Sequence, residues 1–132
     1  MNPIILAIFL GLAPADTVDA GLVRYVEAFK QEASARGIQL PARSPLRIKF
    51  VRSSISGGYY KATRTIEISA AFKGQPKTLE LIIFHELGHA WLGLDHDEER
   101  TCLMNAKPSP ELYRKLRTEY LDQLFLGTPV FR

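Results

Sequence analysis

Cysteine is nearly absent from this 132-residue chain: Cys102 stands alone, so no disulfide can form within it. A single thiol excludes a disulfide scaffold and a cysteine-rich metal knuckle, and it reads as a small buried filler. Basic residues form no stripe either, and the densest charge is acidic, Asp95, Asp97, Glu98 and Glu99, beside the histidines. Lys and Arg are scattered from Arg24 to Arg117 and the net charge is only +3, which points to a solvated surface and away from a nucleic-acid partner. No apolar run is long enough for a comfortable membrane span. Low-complexity segments, internal repeats and a full calcium-loop pattern are also missing. Histidine is scarce as well, and the three that exist fall within a dozen positions, in "HELGHAWLGLDHD" (85–97).

The chain length suits one domain with one core, and no linker interrupts it. The N-terminal stretch "NPIILAIFLGLAPA" carries an apolar run, Ile4 to Leu12, followed by Ala13-Pro14-Ala15, a small-x-small cleavage pattern. The expectation is a signal peptide over 1–15 and a mature domain over 16–132, secreted or periplasmic and monomeric. No basic residue precedes the apolar run. The competing reading is an apolar first element packed on the core.

Within the domain, apolar spacing at Leu22, Val26, Phe29 and Ala33 predicts a helix over 17–36, stopped by Gly37. "LRIKFV" (46–51) alternates as a half-buried strand does, and "SSISGG" (53–58) reads as a turn. "YYKA" and "TIEISA" read as two more strands joined tightly at Thr63–Arg64. "TLELIIFHELGHAWL" (78–92) is apolar nearly all round, as a helix buried through the middle of a domain would be, with Trp91 a core aromatic and Gly93 its stop. A last helix is predicted over 109–125, with Ser109 as N-cap, Pro110 at its first position, and Leu112, Leu116, Tyr120 and Leu124 as its stripe. The fold class is α+β, with an N-terminal helix, a short mixed sheet, a central helix and a C-terminal helix.

The histidines fall on that central helix. Residues four apart share a helical face, so His85 and His89 can turn ring nitrogens toward one ion in zinc geometry. Glu86, one position on, flanks the pair, where its carboxylate can take a proton from water: the mechanical content of H-E-x-x-H. A catalytic zinc takes three protein ligands and keeps one position open. Once Gly93 reverses the chain, His96 is the favoured third ligand, with Asp95 and Asp97 as competing carboxylates. A purely structural zinc would fill four positions with Cys and His, and Glu86 would be an odd neighbour for it. Asp97 is the candidate to orient a ligand by hydrogen bonding. Tyr113 and Tyr120 could stabilise an oxyanion, but their helical stripe is explained by packing.

"HELGHAWLGLDH" followed by "CLMN" resembles the metzincin metallopeptidases, and the matrixins most closely, whose pattern is H-E-x-x-H-x-x-G-x-x-H and then a Met-turn beneath the metal. The resemblance implies a small zincin-like fold, with His85, His89 and His96 as zinc ligands, Glu86 as general base and Met104 as the Met-turn methionine. It also implies a peptide or protein substrate, held extended by main-chain pairing along the strand before the active-site helix, "TIEIS" (65–69). The chain departs from the strict pattern by one extra residue, so Gly93 and His96 fall one place late and Asp95 stands where the third ligand is usual. Some small bacterial zincins resemble this longer spacing, and snapalysin-like enzymes carry Asp there. Asn105-Ala106 replaces the Tyr-Pro common after a matrixin Met-turn. The resemblance covers roughly 60–106, with its motifs concentrated in 85–104.

The leading expectation is a zinc-dependent endopeptidase with a shallow site. The alternative from another class is a metal-bearing binding or inhibitory module without turnover, against which an intact Glu86 argues. A hydrolase of non-peptide amide bonds would share the metal chemistry and differ only in the cleft.

Overall fold

A computed structural model describes residues 15–41 and 45–128. The apolar stretch expected to be a signal peptide lies outside the described residues. Four strands, β1 (Thr17–Val18), β2 (Arg47–Val51), β3 (Gly57–Tyr60) and β4 (Thr65–Ser69), form a mixed sheet in the order β1-β2-β4-β3. β2 runs parallel to both β1 and β4, and β3 closes one edge antiparallel to β4. Helices α1 (Val23–Ala35), α2 (Pro76–Leu92), α3 (Pro110–Lys115) and α4 (Arg117–Leu126) complete the α+β domain. No described helix is long and apolar enough to cross a membrane.

Alternation along the strands decides which face of the sheet is covered. Ile48 pairs with Ile66 and Phe50 with Ile68, and these side chains, three of them fully buried, share the face turned to the core. Lys49 and Glu67 pair across the opposite face as an ion pair at 3.9 Å. Phe29 of α1 is the hub of the helical layer, with its ring centroid 5.1 Å from Phe84, 5.8 Å from Trp91 and 5.0 Å from Phe125. Trp91 and Cys102 are buried, as expected of core residues. A polar staple joins the helices at one side. Arg117 Nε donates to Glu80 at 2.6 Å and its NH1 group to Glu32 at 2.9 Å, while Tyr113 donates to the same Glu80 oxygen at 2.8 Å.

Three boundaries differ from the sequence expectation. Residues 17–18 are a strand, not the start of α1: both are β-branched, they pair with β2, and the flanking Asp16 and Asp19 carboxylates accept the Leu46 and Phe50 N–H groups at 2.7 and 2.8 Å. Pro76 starts α2 two residues early, at the first helical position that suits proline. The last helix is two helices, broken at Leu116 (φ −120°, ψ 34°). Periodicity could not locate that break, because Leu112, Leu116 and Tyr120 keep one spacing across it. The Ser109 cap holds: its side chain accepts the Leu112 N–H.

Candidate metal centre

α2 is buried on most of its circumference, and it carries His85 and Glu86 into the interior at only 7% exposure each. Gly93 ends it in the left-handed region (φ 65°), where glycine escapes the Cβ clash, and the chain turns back across the helix. That reversal brings His96 over His85 and His89. The candidate ligand atoms of the three rings lie within 4.8 Å of one another, with His85 buried, His89 half-buried and His96 exposed. Asp95 lines the neighbouring cleft but stands outside this cluster.

Backbone carbonyls set the tautomers. His85 Nδ1 lies 2.7 Å from the Leu103 carbonyl oxygen, and His89 Nδ1 lies 2.6 Å from that of Leu94. A carbonyl only accepts, so both Nδ1 atoms carry hydrogen, and each neutral ring keeps its lone pair on Nε2. His85 Nε2 is 3.2 Å from His96 Nε2. Two nitrogens each 2.0–2.1 Å from a tetrahedral zinc would be about 3.3 Å apart, close to the separation this pair has, and the chemistry of three imidazoles suits that ion.

The loop after α2 holds itself in this shape. Asp97 N–H donates to the Met104 carbonyl at 3.0 Å, and the Asn105 side-chain amide donates to the carbonyls of Asp97 and Arg100 at 3.3 and 3.2 Å. The Asp97 carboxylate pairs with Arg100 and accepts the Glu99 N–H. It therefore does not orient a histidine, and that expectation is replaced by the Leu94 and Leu103 carbonyls. Nor do Tyr113 and Tyr120 serve an oxyanion: Tyr113 is committed to Glu80, and both rings are buried in the core.

Two glycines shape the surroundings. A Cβ on Gly88 would sit 2.5 Å from Met104 Sδ, so Met104 lies against the bare helix backbone next to His89 and about one turn from His85. Gly88→Ala is expected to lower the unfolding free energy by about 1–3 kcal/mol through overpacking, measured by denaturant titration of the metal-free protein. An unchanged midpoint would show that Met104 moves aside freely. Gly57, on β3, approaches the general-base candidate, since a Cβ there would lie 2.7 Å from Ile82 Cγ2 and 3.3 Å from Glu86 Oε2.

Burial raises the Glu86 carboxyl to about 7. His85 falls to about 4, chiefly through burial, with His89 and His96 pushing the same way and the Leu103 carbonyl opposing them. At neutral pH the His85 ring is thus neutral, with its lone pair ready for a cation. A cation in the centre would draw the Glu86 carboxyl back down.

These shifts predict opposite slopes of metal-free stability against pH. Native Glu86 holds its proton above the ordinary carboxylate range, so its contribution is lost as pH rises from about 4.5 through 7. Native His85 resists its proton, so its contribution is lost as pH falls from about 6.5 through 4. Glu86→Gln removes the first slope alone. The variant should gain on wild type with rising pH, by up to about 1.4 kcal/mol per unit, between those two values for Glu86. Parallel stability curves would place the Glu86 carboxyl in a solvated setting.

No family model, curated protein or solved structure matches this chain. The geometry alone therefore speaks for the site. A cleft of about 860 Å³ runs past the three histidines and Glu86, bounded by β3, α2 and the segment 106–110. β3 is the edge beside the cleft. β4, the strand expected to pair with substrate, is bonded on both sides, to β2 and β3, and has no free edge. The sequence pattern places the "GG" at 57–58 in a turn, whereas it opens the edge strand β3; that position, and the main-chain carbonyls that orient the rings, escape a pattern of side chains. Gly88 did leave a signal, because a glycine inside a helix costs about 1 kcal/mol and asks for a packing reason.

Proposed function

We propose that this protein is a zinc-dependent endopeptidase in which His85, His89 and His96 hold the metal and Glu86 is the general base. The observation that carries this reading is the pair of Nδ1–carbonyl contacts on His85 and His89, which turn two lone pairs into the space shared with His96. Nothing in core packing requires that, and a metal centre does. Zinc bound there supplies Lewis acidity toward a carbonyl and makes water a stronger acid.

The remaining chemistry belongs to the chain's own residues. Glu86, one position from the first histidine and buried, takes a proton from attacking water and passes it to the leaving amine. Its environment, opposing desolvation against a nearby cation, suits a group that must do both. β3 offers the substrate a strand edge. Ser56 O accepts from Ser69 N across the ladder, so alternation turns the main-chain groups of Gly57 and Tyr59 outward, ready for a peptide. Export belongs to the same proposal: cleavage after Ala15 would spare Asp16, whose carboxylate holds the Leu46 N–H.

The test is direct. The purified protein should contain one zinc per chain and cleave peptides from a mixed library, stop with chelator and resume with added zinc. A preparation that takes up no transition metal would remove the proposal.

A further inference from the structure

We infer that Gly57 is a positioning residue for the reaction: its bare backbone walls the Glu86 carboxylate into place beside the strand edge offered to the peptide. This rests on the endopeptidase reading of the cleft. Glycine weakens a strand, so its presence inside one asks for a reason. The backbone supplies none, because among the described residues the left-handed glycines are Gly37, Gly74, Gly93 and Gly127, and Gly57 is not with them. The missing side chain is therefore what matters. A Cβ built there would stand 2.7 Å from Ile82 Cγ2 and 3.3 Å from Glu86 Oε2. Ile82 and Glu86 are four apart, so they share one face of α2, and that face lies against Gly57.

Glu86 has little else to hold it. The side chain is buried, yet among the described residues its carboxylate makes no hydrogen bond and no ion pair. Polar partners do not aim it; packing against Gly57 does. A general base works only within about 2.6–3.2 Å of the atom whose proton it takes, so its position must be set by something. The same glycine meets the peptide on its other side, because its outward main-chain groups are those offered to an extended substrate. Base and scissile bond thus take their places from one residue.

The test is Gly57→Ala, read in two ways. In crystals of the metal-free variant the Glu86 carboxylate should be displaced beyond coordinate error while the α2 backbone stays in place. On a peptide that wild type cleaves, kcat should fall about tenfold with KM and zinc content unchanged, since a misplacement of about 1 Å costs about 10²-fold and this one is smaller. The loss must act through the base. Added to Glu86→Gln, Gly57→Ala should therefore change the residual kcat by less than about twofold. The approach to Ile82 could by itself unfold the variant. Ile82→Ala removes that methyl and leaves the approach to Glu86, so the same tenfold step should separate Ile82→Ala from Ile82→Ala/Gly57→Ala. The inference is overturned by a carboxylate that stays in place, an unchanged kcat, a change in KM instead, an equal loss in the Glu86→Gln background, or a doubly substituted protein that does not fold. If wild type cleaves nothing and the carboxylate still moves, the peptidase fails while the placement by Gly57 stands; cleavage indifferent to Gly57→Ala does the reverse.

Discussion

Glu86→Gln is expected to keep one zinc per chain and to lose turnover by about 10³-fold or more. The amide is the same size as the carboxylate and fills the same buried space beside Gly57 and Ile82. What disappears is a basic oxygen. A positioned general base contributes about 10²–10⁴-fold, and this residue would act twice, first on water and then on the leaving amine, so the effect belongs at the upper end of that range. KM should change little, because Glu86 is not needed to hold an extended peptide along β3. The measurement is kcat and KM on one peptide, beside metal content for both proteins. Metal in both and cleavage by neither would favour the binding module over the enzyme. Equal cleavage by both would remove Glu86 from the chemistry and shift the proton work to another group.

The same residue shows what was legible beforehand. H-E-x-x-H names its own helix, since i and i+4 share a face, and the apolar run around it announced burial; both hold in α2. The convergence of His96 was legible as well, because Gly93 offered the only cheap way to reverse the chain at that point. The α+β class followed from the alternation in 46–51 and 65–69 and the helical spacing elsewhere.

What was not legible is main chain. The carbonyls of Leu94 and Leu103 do the orienting assigned to Asp97, and any residue can supply a carbonyl, so no side-chain pattern points to them. Strand order was hidden for a similar reason. Residues 65–69 and 57–60 are both short and bounded by turns, and only the register shows that β4 is interior and β3 is the edge.

His96→Ala should weaken zinc binding far more than Asp95→Ala, and this contrast tests the departure from the strict spacing. Both residues follow Gly93 and both could ligate, so sequence favoured one without deciding. In the folded chain His96 Nε2 stands 3.2 Å from His85 Nε2, while Asp95 lies on the cleft wall outside the cluster. Loss of a group that merely orients a ligand costs about 10–100-fold in metal affinity, and loss of a ligand itself should exceed that. The expected order is therefore more than about 100-fold for His96→Ala and less than about 10-fold for Asp95→Ala, read from competition with a zinc chelator of known affinity. His96 is exposed, so its removal should leave the metal-free fold intact and the loss can be assigned to the metal. Equal losses would mean that the loop from Gly93 adopts another path when the ion is bound, with the Asp95 carboxylate ligating in place of the His96 imidazole.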